Sequence, residues 1–144
     1  MTAFADSSAL VKLYVDEDGH TAMRRQRDLV IAELAGVEVP SAFWRKHRIG
    51  ELDAQDAQVL SAEFRADLFG TTTDDPRFVV VATTGVVLRE AADLVARHPL
   101  RAYDAVQLSC AISVRRVEPD CGTLFTYDAG LGRAAAYEGF TVPP

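Results

Sequence analysis

The chain has 144 residues, 49% of them hydrophobic and 25% charged, with a formal net charge of −6. That length supports one domain, 1–144, with a real hydrophobic core, and no apolar run approaches the ~18–20 residues of a membrane span. The acidity excludes a protein that coats nucleic acid by charge alone. It does not exclude carboxylate-based metal chemistry, because such a site is itself acidic.

In chain order, "TAFA" (2–5) predicts a short strand ending at Asp6, and "SSALVKLYV" (7–15) a helix with Ser7 or Ser8 as N-cap. Residues 16–28 break at Gly19 and continue as a second helix. "LVIA" (29–32) reads as a second strand. Residues 33–50 read as a helix closed by Gly50 and bent at Pro40, whose missing donor interrupts the ladder. An amphipathic helix spans 53–69, capped by Asp53 and ended by Gly70. "RFVVVA" (77–82) reads as a third strand, too continuously apolar for an exposed edge. Helices follow over 84–98, capped by Thr84, and over 98–114. "TLFTY" (123–127) is a fourth strand ending at Asp128, "GLGRAAAYEG" a short helix, and "FTV" (140–142) a last strand. Strands separated by helices imply βαβ units and a mostly parallel sheet covered on both faces.

Two acids interrupt this pattern. In "HPLRAYDAVQLSCAISV", steps of four give Leu100, Asp104, Leu108 and Ile112, one helix face with a carboxylate in an apolar stripe. In the helix over 33–50 the same step gives Leu34, Glu38 and Ala42. An isolated buried carboxylate costs several kcal/mol or becomes neutral, and a nearby Arg is the ordinary remedy for one such residue. Two in helices, together with Asp6 and Asp128 at strand ends, fit one account better. The four converge, and a divalent cation offsets their repulsion. Mg²⁺ and Mn²⁺ prefer such oxygen ligands and serve phosphodiester hydrolysis. Ser7, Ser8 and Thr126 border the acids, as caps or as groups that orient a ligand carboxylate.

Other signals are thin. There is no P-loop, dinucleotide glycine pattern or Gly-x-Ser-x-Gly elbow. Cys110 and Cys121 lack metal-ligand spacing and read as buried free thiols of a cytoplasmic protein. The start of the chain has no basic lead and does not read as a signal peptide. His20, His47 and His98 read as solvated, the last two as weak candidates for RNA backbone contact. Thirteen of the fifteen basic residues are arginine, which genomic composition explains more simply than phosphate binding does. Arg45, Lys46, Arg48 and Arg101 lie close to the acids in sequence and form the candidate rim for RNA phosphates. Leu10, Leu13, Tyr14, Phe43 and Trp44 are more apolar groups than one modest helix face needs. Part of this set is expected at a dimer interface or in a groove for a partner helix.

"ADSSALVKLYVDEDG" (5–19), "LAGVEVPSAFWRKHRIGEL" (34–52), "LRAYDAVQLSCAI" (100–112) and "LFTYDAGLGRAAAYEGFTV" (124–142) together resemble a PIN-domain ribonuclease, specifically the VapC-type toxin of a type II toxin–antitoxin system. The resemblance implies a three-layer α/β/α sandwich. It places Asp6, Glu38, Asp104 and Asp128 at the family's four acid positions, as ligands of Mg²⁺ or Mn²⁺ in an endoribonuclease. It further implies a homodimer neutralised by a small cognate antitoxin. Glu33 departs from the pattern, standing where a small or hydroxylic residue is expected. It reads as an acid favoured by the helix dipole and is left out of the catalytic set. A receiver domain would want a Lys after the last strand, and a haloacid-dehalogenase-type phosphatase an Asp-x-Asp after the first, where this chain has "DSS". A catalytically inactive PIN module is the remaining non-enzyme alternative.

Overall fold

The computed structural model describes residues 2–144. Its strands are β1 (Ala3–Ala5), β2 (Leu29–Ala32), β3 (Val79–Val81) and β4 (Thr123–Phe125). They form one sheet in the order β3-β2-β1-β4, and every pairing is parallel. The helices are α1 (Ser7–Val11), α2 (His20–Arg24), α3 (Ala35–Arg48), α4 (Ala54–Phe69), α5 (Gly85–Arg97), α6 (Ala102–Val117) and α7 (Ala129–Tyr137).

The period-2 rule of strands sorts the core. Phe4, Val30, Ala32 and Leu124 point to one face and pack with α5, α6 and α7 residues such as Leu94, Leu108 and Leu131. Ala3, Ala5, Leu29, Ile31 and Phe125 point to the other and pack with Leu10, Phe43 and Phe64 of α1, α3 and α4. The result is the expected three-layer α/β/α sandwich.

Several elements are shorter than the pattern implies. After Val11 the chain leaves α-helix for i→i−3 turns, Lys12 to Ala9 and Leu13 to Leu10, so the helix expected to residue 15 stops early. α2 keeps only five residues. α3 begins at Ala35 and continues through Pro40. "FTV" makes a single bridge, Thr141 to Thr123, rather than a strand.

One expectation is overturned in the sheet. β3 is the edge of the sheet, with Val79 65% exposed and Val80 also exposed. Phe78 is driven inward against Phe64, and Val81 is partly buried against the other core face. An apolar run without alternation cannot tell a central strand from an edge one. Replacing Val79 by Thr is accordingly expected to change unfolding free energy by less than about 0.5 kcal/mol, measured by denaturant titration. A cost above 2 kcal/mol would show that this edge is covered.

The apolar set of the early helices forms no exposed groove. Leu10, Leu13 and Phe43 are buried. Tyr14 is half-buried, edge-on to Phe43 and Phe64, and its hydroxyl donates to Asp67 at 2.5 Å. Trp44 is half-buried, edge-on to His47. Leu10, Leu13, Tyr14 and Phe43 are core because α4 lies beside α3 and closes the layer, and Trp44 is left partly exposed outside it.

Candidate active site

In an open parallel sheet, ligands bind beyond the carboxyl ends of the strands where the winding reverses. Here the chain winds from β1 outward through β2 to β3, then returns to place β4 on the other side of β1. The reversal lies between β1 and β4. Asp6 follows β1 and Asp128 is three residues past the end of β4, so topology alone brings these two acids to one crevice. α6 supplies Asp104 in its first turn, and α3 supplies Glu38 in its own first turn. A cavity of about 890 Å³ is lined by all four acids.

Each acid is held by specific bonds. Asp6 caps α1, one oxygen accepting from the Ala9 amide at 3.0 Å and the Ser8 hydroxyl at 2.7 Å. Its other oxygen accepts from Thr126 Oγ1 at 2.6 Å. Asp6 is only 3% exposed. Burial pushes its carboxyl up from 3.8 to about 6, against those three hydrogen bonds and with the Asp104 charge adding to the rise. Glu38 accepts from Ser7 Oγ at 2.9 Å and from Gln107 Nε2 at 2.7 Å. Asp128 caps α7 through the Leu131 amide at 2.8 Å.

Arg101 joins the two remaining carboxylate faces. Its Nε donates to Asp104 at 3.0 Å and its terminal nitrogen to Asp128 at 3.1 Å. The side chain is 78% exposed, so a solvent-facing guanidinium supplies the positive charge that the acids demand. Arg101 therefore touches the acids rather than standing apart on a rim. Arg45, Lys46 and Arg48 also line the cavity. Lys46 is engaged by Glu17 at 2.8 Å and Glu51 at 3.2 Å.

Gln107 is the site residue that the sequence reading misses. It lies one turn beyond Asp104, is buried, and bonds both Ser7 and Glu38. Its Oε1 is buried with no protein partner. The available signal is position: residue 107 follows Asp104 by three, on the same helix face. Glu33 stands outside the acid set, accepting from the Thr83 amide at 2.6 Å.

Two of the histidines bond within the fold. His98, expected to be solvated, is buried and donates from Nε2 to Glu138 at 2.7 Å. That bond, with Arg97, holds Glu138 below the usual carboxylate range. His47 donates from Nδ1 to the Leu52 carbonyl at 3.0 Å. A second cavity of about 390 Å³, between α5, α6 and the end of α7, is lined by two ion pairs, Arg97 with Glu138 and Arg116 with Glu90, together with Asp93 and Arg115.

A reversed-winding parallel sheet with carboxylates gathered at its switch point defines the class of α/β proteins that present an acidic pocket at the strand ends. The PIN domain family model matches residues 3–137, and the chain belongs to that family. No curated protein matches it. Among solved structures it is similar to PAE2754 from Pyrobaculum aerophilum, with a TM-score of 0.62 and 22% identity over 99% of this chain and 83% of that one. It is also similar to a toxin–antitoxin complex from Klebsiella pneumoniae, with a TM-score of 0.52 and 14% identity over 88% of this chain and 86% of that one. At these identities the likeness is one of fold.

Proposed function

We propose that the chain is a Mg²⁺- or Mn²⁺-dependent endoribonuclease, the VapC-type toxin of a toxin–antitoxin pair, with Asp6, Glu38, Asp104 and Asp128 as its acid set. The observation that carries this reading is the convergence of four acids, from four separate elements, on one cavity at the sheet's switch point. PIN domains are generally nucleases, and one of the similar folds is a toxin–antitoxin complex.

The donor set suits a hard divalent ion. All four groups are carboxylates, and two of them already draw a guanidinium between them. Among the described residues no three acids, histidines or cysteines stand close enough to hold one ion together. An ion held here would take one or two of these carboxylates directly and keep several waters. When bound, the metal supplies Lewis acidity toward a phosphoryl oxygen. The chain's own residues do the positioning. Ser8 and Thr126 fix Asp6, and Ser7 and Gln107 fix Glu38. Arg45 and Arg48 at the cavity wall would hold the RNA backbone.

The partners on this reading are an RNA substrate, a small antitoxin covering the cavity, and a second copy of the chain. No helix is long and apolar enough to cross a membrane. A catalytically inactive module is the second reading, and the Arg101 bridge across Asp104 and Asp128 favours it, since the guanidinium competes with a metal for the same carboxylates.

Calorimetric titration of metal-free protein with Mn²⁺, followed by mapping of RNA ends after incubation, tests the proposal. Saturable Mn²⁺ binding and internal cuts that stop on chelation are expected. An absence of cuts, with or without Mn²⁺ binding, would select the inactive module. Cuts that persist in excess chelator would overturn the metal-dependent mechanism.

A further inference from the structure

Tyr127 stands between Thr126 and Asp128, and its ring forms part of the wall of the acid cavity. It is 38% exposed, and its seat is built. Lys12 Nζ lies 4.2 Å from the ring centroid. That ammonium is buried and pinned by Glu17 at 3.1 Å. The phenol hydroxyl donates to the Gly19 carbonyl at 3.4 Å. Residue 19 is shaped for this contact. Its φ is +91°, and a Cβ there would lie 2.5 Å from the phenol oxygen and 2.6 Å from two ring carbons. At the backbone, the Tyr127 amide donates to Ser8 Oγ at 2.8 Å, the hydroxyl that in turn donates to Asp6. The side chain is thus tied to the frame that holds the acids, and more than a third of the residue remains open to solvent.

Packing does not explain this arrangement, because a core tyrosine would be covered. A rigid aromatic surface beside a phosphodiester site has a direct use. Nucleobases stack on such rings, and the stacking tolerates any base because every base has a π-face. Lys12 draws on the negative face of the ring, which eases its approach to an electron-rich base. A base inside a duplex already stacks on both neighbours and has no face to offer.

We propose that Tyr127 is a stacking platform for a substrate nucleobase next to the phosphate held at the acids. This rests on the endoribonuclease reading above and names the residue that would hold a base there.

The test is fluorescence anisotropy with Mn²⁺-loaded protein. The probes are a short phosphorothioate-linked, cleavage-resistant oligoribonucleotide of mixed sequence and the same strand annealed to its complement. Tyr127→Ala is expected to weaken single-strand binding roughly 5- to 150-fold, the range for losing one base–aromatic stack. Tyr127→Phe should stay near the parent, and Mn²⁺ affinity should hold in both. Tyr127→Trp, made with Trp44→Phe so that it holds the one indole, should bind and show emission quenched by the single strand, which decides the matter even if the alanine variant folds poorly. An alanine variant that binds like the parent would overturn the platform and leave the nuclease reading standing. Equal losses in the alanine and phenylalanine variants would assign the effect to the hydroxyl, overturning stacking. A parent that binds duplex as tightly as single strand would overturn stacking, since a paired base has no face to offer the ring. A parent that binds Mn²⁺ but neither probe would overturn the nuclease reading and the platform together.

Discussion

Asp6→Asn is expected to abolish RNA cleavage and, in the same molecule, to strengthen the metal-free fold. Both effects come from one buried charge. The folded-state carboxyl titrates near 6 against an ordinary 3.8, so the native protein binds the proton more tightly than the unfolded chain does. Below about pH 4 both states are protonated and the ionised group costs nothing. As pH rises from 4 to 6 the unfolded chain ionises first, and metal-free stability falls. Above 6 the whole penalty is present. A shift of about two units corresponds to about 3 kcal/mol, so removing the charge should raise unfolding free energy at neutral pH by about 1–3 kcal/mol. The same substitution removes a charge that would draw the metal, and cleavage should drop by on the order of 10²–10³-fold or more. Denaturant titrations of parent and variant in chelator, at pH 4 and at pH 7.5, measure the first effect. The gain should be present at pH 7.5 and absent at pH 4. A variant less stable than the parent at pH 7.5 would mean that the hydrogen bonds from Ser8, Thr126 and Ala9 outweigh desolvation. A variant that still cleaves like the parent would remove Asp6 from the acid set.

The same conflict between burial and charge made the site partly legible from the sequence. Asp104 and Glu38 stood out because an acid in an apolar helix stripe contradicts the pattern around it, and Asp6 and Asp128 because each follows an apolar strand. The layered α/β architecture was legible for a similar reason, since helix and strand periods alternate along the chain. The helices with caps, Asp53 before α4 and Thr84 before α5, matched their expected starts closely. What the local pattern could not carry was lateral order. Whether "RFVVVA" lay inside the sheet or at its edge depends on which strand pairs with β2, and no residue within 77–82 encodes that. Burial of Leu13 and Phe43 against a neighbouring layer was hidden likewise, because a helical stripe shows which face is apolar but not what covers it. His98 looked solvated beside Arg97 and Pro99, and its partner Glu138 is 40 residues away. Gln107 was invisible because an amide on a helix face carries no chemical signature until its partners, Ser7 and Glu38, are in place.

Arg101→Ala is the second large expectation, and its two effects have opposite directions. In the structure the guanidinium bridges Asp104 and Asp128, which are also the carboxylates proposed to take the metal. An ion entering that position must displace it. The side chain is 78% exposed, so release into solvent is easy, and the freed fork is placed to meet a phosphate oxygen of the bound RNA. Deleting it should therefore tighten Mn²⁺ binding on the order of tenfold, because a competing cation is gone. It should also weaken RNA binding at low salt and reduce the slope of log affinity against log salt by about 0.7, the value of one lost phosphate contact on a single strand. Calorimetry without RNA and binding titrations across a salt series separate the two effects. If Mn²⁺ affinity is unchanged, Arg101 and the metal occupy different faces of the carboxylates. If Mn²⁺ binds more tightly while RNA binding and its salt slope stay constant, the arginine is only a counter-ion for the empty acids, and the phosphate contacts fall to Arg45 and Arg48.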